Sequence, residues 1–290
     1  MERMKDGFVK AAAATPEIRV ADADYNARQI CRMIDETEKE GAGIVVFPEL
    51  CMTGYTCGDL FTQEVLLKDA MRGLCKVAAH TKDKNGLYFV GVPLAVEGKL
   101  YNTAAALNRG EILGFTTKSF LPNYGEFYEM RQFCKGPDTA RMIRFDGREI
   151  PFGPQLLFAA EEMEELIISA EICEDVWCPV PPSIQAAREG AVLIANCSAS
   201  DETSGKAAYR RSLIEGQSAR LICGYIYANA GEGESTTDLV FGGHNMIAEN
   251  GVLLAEGKRF ENGVVYTEID IQKLLGERRK NTTFQMDQQR

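Results

Sequence analysis

Apolar residues along the chain fall into short blocks whose period alternates between that of a strand and that of a helix. Phe8 to Ala14 is an apolar run closed by Thr15-Pro16, which predicts a buried strand. From Tyr25 to Lys39 the apolar positions Ala27, Ile30, Cys31 and Ile34 recur at helical spacing, and Asp22 or Asp24 supplies a cap. Gly41 and Gly43 stop that helix, and Ile44-Val45-Val46-Phe47 predicts the next buried strand. Strand, helix and strand within ~40 residues open an α/β sheet.

The same reading predicts a helix from Leu60 to about Lys82 and a strand over Leu87 to Leu94. Leu100 to Asn108 and Glu111 to Thr117, separated by Arg109-Gly110, form an antiparallel hairpin, so the sheet is mixed. Lys118 to Pro137 is an irregular, aromatic-rich loop, and long loops of this kind are more often functional than idle. After a polar stretch a strand begins near Leu166 and runs to Cys173. Beyond it follow a helix from Pro182 to Gly190, a strand over Val192 to Asn196, a helix over Lys206 to Cys223, and a strand over Tyr225 to Asn229. Antiparallel strands over Asn245 to Ala248, Val252 to Ala255 and Val264 to Ile269 complete the set, with Asn250-Gly251 and Asn262-Gly263 turns. No repeat or linker divides the chain, so residues 1–290 are expected to form a single domain. The polar tail from Arg278 stops as a cut chain would.

The strand ends carry the candidate chemistry. Glu49, Lys118 and Cys173 each sit just past a predicted strand, and α/β folds bind ligands beyond the carboxyl ends of their strands. Their functions are complementary. A buried carboxylate accepts the thiol proton, and an ammonium favours the thiolate and a developing oxyanion, so the effective pKa of Cys173 is expected to fall. Each residue also has a plain reading: Glu49 as a solvated loop residue, Lys118 as a surface lysine, Cys173 as packing. His80 and His244 offer a rival Cys/His dyad, His80 on a helix face and His244 after Gly242-Gly243.

Composition narrows the function class. A formal charge of -10 without a stripe of Lys and Arg argues against nucleic acid and an anionic membrane. Nine cysteines without a CxxC pair fit neither a disulfide framework nor a zinc site, which suggests reduced thiols and a cytoplasmic location. The formal sequon Asn196-Cys197-Ser198 then carries no meaning as an acceptor. No apolar run approaches the ~20 residues of a membrane span.

Phe47-Pro48-Glu49-Leu50, Lys118 with the aromatic loop behind it, and Ile172-Cys173-Glu174-Asp175 together resemble the three signatures of the nitrilase superfamily of carbon–nitrogen hydrolases. The resemblance runs from about Phe8 to the last strand. Narrower features are similar to the glutaminase domain of glutamine-dependent NAD⁺ synthetases: Thr53-Gly54-Tyr55-Thr56-Cys57-Gly58-Asp59-Leu60-Phe61, Leu121-Pro122-Asn123-Tyr124 with Phe127-Tyr128-Glu129, Glu174-Asp175-Val176-Trp177, and Ser198-Ala199-Ser200 with Lys206.

The resemblance implies an α/β fold, a four-layer αββα sandwich with mixed, largely antiparallel sheets that pairs into a homo-oligomer through a helical face. It implies a Glu49, Lys118, Cys173 triad that forms a thioester with L-glutamine, Glu49 acting as base and Lys118 with the Glu174 amide stabilising the oxyanion. Glu129 is the implied second carboxylate, with Glu126 close enough to compete for the role. Tyr55, Tyr124, Glu174, Trp177, Ser200 and Lys206 are the implied substrate-binding residues; a carboxylate for the ammonium of an amino acid and an ammonium for its carboxylate suit a zwitterion. The glutaminase reaction implies no cofactor, ATP and Mg²⁺ belonging to an ammonia-accepting synthetase domain. The Ser-Gly-Gly-x-Asp-Ser loop of that domain does not occur in these residues. A stand-alone amidase acting on another ω-amide, or a catalytically silent scaffold, are the alternatives.

Overall fold

The computed structural model describes residues 6–236 and 238–284. The Ala-rich first strand sets the layering. In β1 (Phe8–Thr15), Ala11 and Ala13 join an apolar layer between two sheets, whereas Ala12 and Ala14 join the layer under the helices. Side chains alternate between faces in a strand, so small residues on both faces let both neighbouring layers approach closely.

The helices over that face are α1 (Ala23–Lys39) and α2 (Glu64–His80). The α1 stripe read from sequence is the buried one: Ala27, Ile30 and Ile34 enter the core, and Asp22 caps Tyr25 N–H. Each fully buried isoleucine contributes ~1.5–3 kcal/mol.

Next come β2 (Ile44–Val46), β3 (Leu87–Val96), β4 (Lys99–Asn108) and β5 (Glu111–Thr117), then a one-turn helix α3 (Glu129–Gln132). Strands β6 (Arg141–Phe145), β7 (Arg148–Gly153), β8 (Leu157–Ala160) and β9 (Met163–Ile172) precede α4 (Pro182–Arg188) and β10 (Leu193–Ser198). The chain continues through α5 (Lys206–Leu221), β11 (Gly224–Asn229), β12 (Met246–Glu249), β13 (Val252–Glu256), β14 (Gly263–Asp270) and α6 (Ile271–Lys280).

One sheet has the order β14-β1-β2-β3-β4-β5-β7-β6 and the other β13-β12-β11-β10-β9-β8. Each sheet has a parallel run, β1-β2-β3 and β9-β10-β11, and apart from the parallel β5-β7 pair the strands beside these runs pair antiparallel. Inner faces meet through residues such as Val46, Phe89, Ala170, Ala195 and Ile226, and α4 and α5 cover the outer face of the second sheet. The α/β sandwich of four layers with mixed sheets is therefore present.

Several expected boundaries shift. The helix expected from Leu60 is two elements, a 3₁₀ segment Tyr55–Thr62 and then α2, because Gln63 between them has an extended backbone, φ -87° and ψ 121°. The polar stretch before Leu166 holds β6, β7 and β8, strands with exposed positions throughout that bury only Ile143, Ile150, Phe152 and Gly153 and lack a clean apolar alternation. Helix α6 takes residues for which the pattern predicts no element together with the first three of the expected polar tail, Arg278 to Lys280; Ile271 and Leu274 are buried. The end of that tail, residues 285–290, lies outside the described residues.

Candidate active site

Strand β2 ends at Val46 and the chain turns through Phe47-Pro48-Glu49, with Leu50 at φ of 51°. This turn lies directly on β3 at Gly91. A Cβ there would stand 2.3 Å from Leu50 N and Pro48 O, so only glycine permits the approach. Lys118 follows β5, its N–H bonded to Asn102 O at 3.0 Å. Cys173 follows β9 and opens a 3₁₀ turn, Cys173–Val176.

The three strand ends converge. Lys118 Nζ lies 2.6 Å from Glu49 Oε1 and 2.5 Å from Glu129 Oε1, and both side chains of the first pair are 0% exposed. Glu49 Oε1 also accepts from Asn102 Nδ2 at 2.6 Å, and Oε2 from Ala199 N at 3.0 Å. Glu129 Oε1 accepts from Tyr55 OH at 2.7 Å, while Glu129 Oε2 is buried without a hydrogen-bond partner. Burial would strip the proton from Lys118, but Glu129 and Glu49 outweigh it and hold the ammonium well above its ordinary pKa. Burial pushes the Glu129 carboxyl up to about 7 against the pull of Lys118, with Glu49 adding to the rise.

Cys173 is buried, and the charges of Glu49, Lys118 and Glu129 all act on its thiol. Burial raises the thiol pKa, Glu49 raises it further, and Lys118 only partly offsets them. The expected depression of the thiol pKa is thus corrected for the resting site, because burial first and the Glu49 charge second outweigh the pull of Lys118. A thiol in this state can act as a nucleophile only by giving up its proton, and the Glu49 carboxylate is close enough to act on it electrostatically. Backbone strain marks the same residue. Cys173 has φ of 44°, a left-handed conformation that costs a residue with a side chain of order 1–3 kcal/mol. Asp175 ties the turn down: its carboxylate accepts from Ile172 N at 3.0 Å, Ser119 N at 3.0 Å and Phe120 N at 2.9 Å, joining the nucleophile turn to the loop after Lys118.

Cys173 opens onto a cavity of about 550 Å³, and Tyr124, Glu174, Trp177, Ser200 and Lys206 all line it. Tyr124 OH donates to Glu174 Oε1 at 2.8 Å. Lys206 Nζ stands 5.4 Å over the Phe127 ring and 5.5 Å over Trp177, and pairs with Asp201. Tyr55 sits elsewhere than a pocket wall: it is buried edge-on to Phe127 and Phe241 and reaches the centre through Glu129. Glu126 lines the cavity, whereas Glu129 touches Lys118, which separates the two carboxylates by position.

Neither histidine meets the thiol. His80 pairs with Asp35 at 2.8 Å, and His244 bonds Arg210 and Glu256. Sequence reading overlooked Asn102, Asp175, Asn196 and Arg210. The available signal was a lone polar residue inside an apolar strand, as in Leu-Tyr-Asn102-Thr and Ile-Ala-Asn196-Cys. Among the described residues no group of three or more His, Cys, Asp or Glu is arranged to hold a metal ion, and no helix is long and apolar enough to cross a membrane.

The family profile for carbon–nitrogen hydrolases matches residues 10–278. A glutamine-dependent NAD(+) synthetase of Mycobacterium leprae is 41% identical over 286 residues, covering 98% of this chain and 42% of that protein. One from Aquifex aeolicus is 33% identical, covering 87% of this chain and 41% of its own. The crystal structure of a glutamine-dependent NAD(+) synthetase from Cytophaga hutchinsonii aligns with a TM-score of 0.81 at 30% identity, over 90% of this chain and 43% of that one. An amidase of the nitrilase superfamily from Nesterenkonia shares the fold at 21% identity and a TM-score of 0.70, over 94% and 95% of the two chains. The chain spans less than half the length of the synthetases it matches. With a family match that covers nearly its whole length, and with relatives at 30% identity or more over most of it, the chain belongs to the carbon–nitrogen hydrolase family.

Proposed function

We propose that this chain is the glutamine amidohydrolase part of a glutamine-dependent NAD⁺ synthetase. The observation that carries the reading is a thiol at the base of a cavity walled by Glu174 and Lys206, backed by a lysine held between two carboxylates. Cys173 Sγ attacks the side-chain carbonyl carbon of L-glutamine while its proton passes to Glu49. Lys118 and the Glu174 backbone N–H stabilise the oxyanion. Collapse of the tetrahedral adduct breaks the C–N bond, Glu49 returns the proton to the leaving nitrogen, and ammonia departs from a glutamyl thioester. Water, deprotonated by Glu49, then releases glutamate and restores the thiol.

Glu129 holds Lys118 in place through its charge. Glu174 faces the α-ammonium, with Ser200 and Lys206 at the α-carboxylate and Tyr124 and Trp177 as walls; Tyr55 orients Glu129. Ammonia passes to a synthetase domain, whose step uses ATP and Mg²⁺, while hydrolysis itself needs no cofactor. Copies of the chain pair through a helical face, which sedimentation of the purified chain checks. A location in the cytoplasm suits the reduced thiols.

Ammonia and glutamate release by the purified chain tests the assignment. Glutamine is expected to be hydrolysed slowly without the synthetase domain, and Cys173→Ala to abolish it. Turnover of a simple aliphatic amide in preference to glutamine would favour the stand-alone amidase reading. Full activity in Cys173→Ala would sink the assignment of the nucleophile.

A further inference from the structure

Behind the nucleophile lies a line of buried polar groups that the reaction just described does not use. Glu171, on β9, is 1% exposed; Tyr225, on β11, and Asn196, on β10, are fully buried. Glu171 Oε2 accepts the Ser183 N–H at 2.9 Å, and its Oε1 accepts the Tyr225 hydroxyl proton. That donation commits the tyrosine hydrogen, so the Tyr225 oxygen accepts from Asn196 Nδ2 at 3.0 Å. The amide orientation is thereby fixed. Asn196 Oδ1 faces the other way and accepts from Cys173 N at 3.2 Å and Ser198 Oγ at 2.9 Å.

We propose that Glu171, Tyr225 and Asn196 form a one-way hydrogen-bonded chain that positions the nucleophile, Asn196 being the residue that holds the Cys173 backbone in its left-handed conformation. The proposal rests on the reading of Cys173 as the attacking group. Three features support it. The direction of every bond is forced from the carboxylate outward, so the amide cannot flip without leaving a buried donor facing a donor. The bond ends on the N–H of the residue at φ of 44°, where a non-glycine backbone needs an external hold. Glu171 and Asn196 are also register partners on adjacent parallel strands, which puts the anchor and the clamp on one rigid face.

The chain has a chemical consequence. Because Asn196 takes the Cys173 N–H, that amide is not available to an oxyanion, and Lys118 with the next amide, that of Glu174, is left to do so. Losing the clamp would therefore misplace the sulfur and offer the wrong amide. The folded burial of Asn196 also closes the formal sequon to any modification of the native protein.

The test uses Asn196→Ala, Asn196→Asp and Tyr225→Phe in the full chain. The readouts are kcat and KM for glutamine, thermal unfolding, and the rate of Cys173 alkylation by iodoacetamide mapped by mass spectrometry, with exposed Cys134 as the internal reference. Asn196→Ala is expected to lower kcat and Cys173 alkylation together by ~10²-fold, the cost of a misplaced reacting atom, with KM nearly unchanged. Tyr225→Phe, which removes the anchor and keeps the clamp, is expected to cost ~10-fold in both. Asn196→Asp supplies the distinguishing signature. Its neutral acid donates to Tyr225 and accepts from Cys173 N–H as the amide does, so activity and alkylation return at low pH. They are lost as pH rises and the carboxyl ionises beside Glu171.

A folded Asn196→Ala with unchanged kcat and alkylation overturns the positioning role, as does a loss confined to KM, or an Asn196→Asp profile parallel to wild type. Should Asn196→Ala fail to fold, Tyr225→Phe at wild-type rates overturns it alone. In the unmodified chain, glutamine hydrolysis that survives complete alkylation of Cys173 would instead bring down the nucleophile reading, and the proposal with it.

Discussion

Lys118 and Arg210 are both buried cations, and their surroundings differ sharply in chemical consequence. Arg210 has its donors filled by protein. Nε reaches Ser200 Oγ, NH1 reaches Glu202 Oε1 at 2.7 Å and His244 Nδ1 at 2.9 Å, and NH2 reaches Ser200 and the Asp201 carbonyl at 2.8 Å. Since the guanidinium donates to His244 Nδ1, the imidazole proton lies on Nε2 and goes to Glu256 at 2.7 Å. Burial lowers the His244 pKa, Arg210 lowers it further, and Glu256 opposes them. This network is closed. Lys118 bonds two carboxylates, Glu49 and Glu129, which leaves one of the three ammonium donors for a ligand beside a thiol that opens on a cavity. A saturated buried charge builds a scaffold, and an incompletely ligated one is poised for chemistry.

Removing each cation breaks the comparison most sharply. Lys118→Met is expected to lower glutamine kcat by at least ~10²–10³-fold, as for the loss of an oxyanion donor. Glu49→Gln, which keeps shape but cannot accept a proton, is expected to cost ~10²–10⁴-fold. Arg210→Met should act chiefly on stability, by about 3–5 kcal/mol, because Glu202 is left buried without its main partner. Ammonia release and denaturant unfolding measured on the same variants check all three. An Arg210→Met protein that is stable but inactive would erase the distinction.

The Glu49 turn also depends on a residue that carries no chemistry. Gly91→Ala drives a Cβ into the backbone of residues 48–50 and shifts Glu49. A displacement of this kind is expected to lower kcat by ~10²-fold with the triad intact in sequence. A crystal structure or a kcat within about threefold of wild type would show that the loop has room to adjust.

Smaller effects separate binding from chemistry. Lys206→Ala removes a charge at the cavity wall and is expected to raise KM for glutamine by ~10-fold while leaving turnover of a neutral amide unchanged. Equal losses on both substrates would place Lys206 in the chemistry instead. Glu234 tests burial without catalysis. It accepts from Tyr55 N at 2.8 Å, and burial pushes its carboxyl up to about 8, the Tyr55 N–H opposing and Glu49 adding to the rise. Between an ordinary unfolded pKa near ~4.3 and the raised folded value, the unfolded chain releases a proton that the folded chain keeps. Stability attributable to this group is present at low pH and is lost as pH rises through that window. Glu234→Gln is expected to flatten the fall in Tm between about pH 5 and pH 8, and an unchanged slope would assign it to other groups.

Much of the layer order and the three principal site residues were legible in the chain. Glu49, Lys118 and Cys173 announced themselves because each follows an apolar strand and each carries a group with chemistry to perform. Glu126 and Glu129 did not separate by sequence. They lie three residues apart in an aromatic loop, and only packing puts one on Lys118 and the other on the cavity wall. Strands β6 to β8 stayed hidden because exposed strands carry Arg141, Arg144 and Arg148 where an apolar alternation would be expected.

By itself the sequence determined where most of the strands and helices run and which reactive groups stand at strand ends, since both follow from local period and residue chemistry. Protonation and orientation were decided only by the tertiary structure. Glu49 meets Asn102 across 53 residues, Lys118 across 69 and the Ala199 amide across 150. Burial and those distant charges keep the Cys173 thiol protonated at rest, an outcome its immediate neighbours do not specify. The Cys173 backbone is likewise held by Asn196 from the next strand, because a left-handed cysteine has no local hydrogen bond strong enough to keep it there.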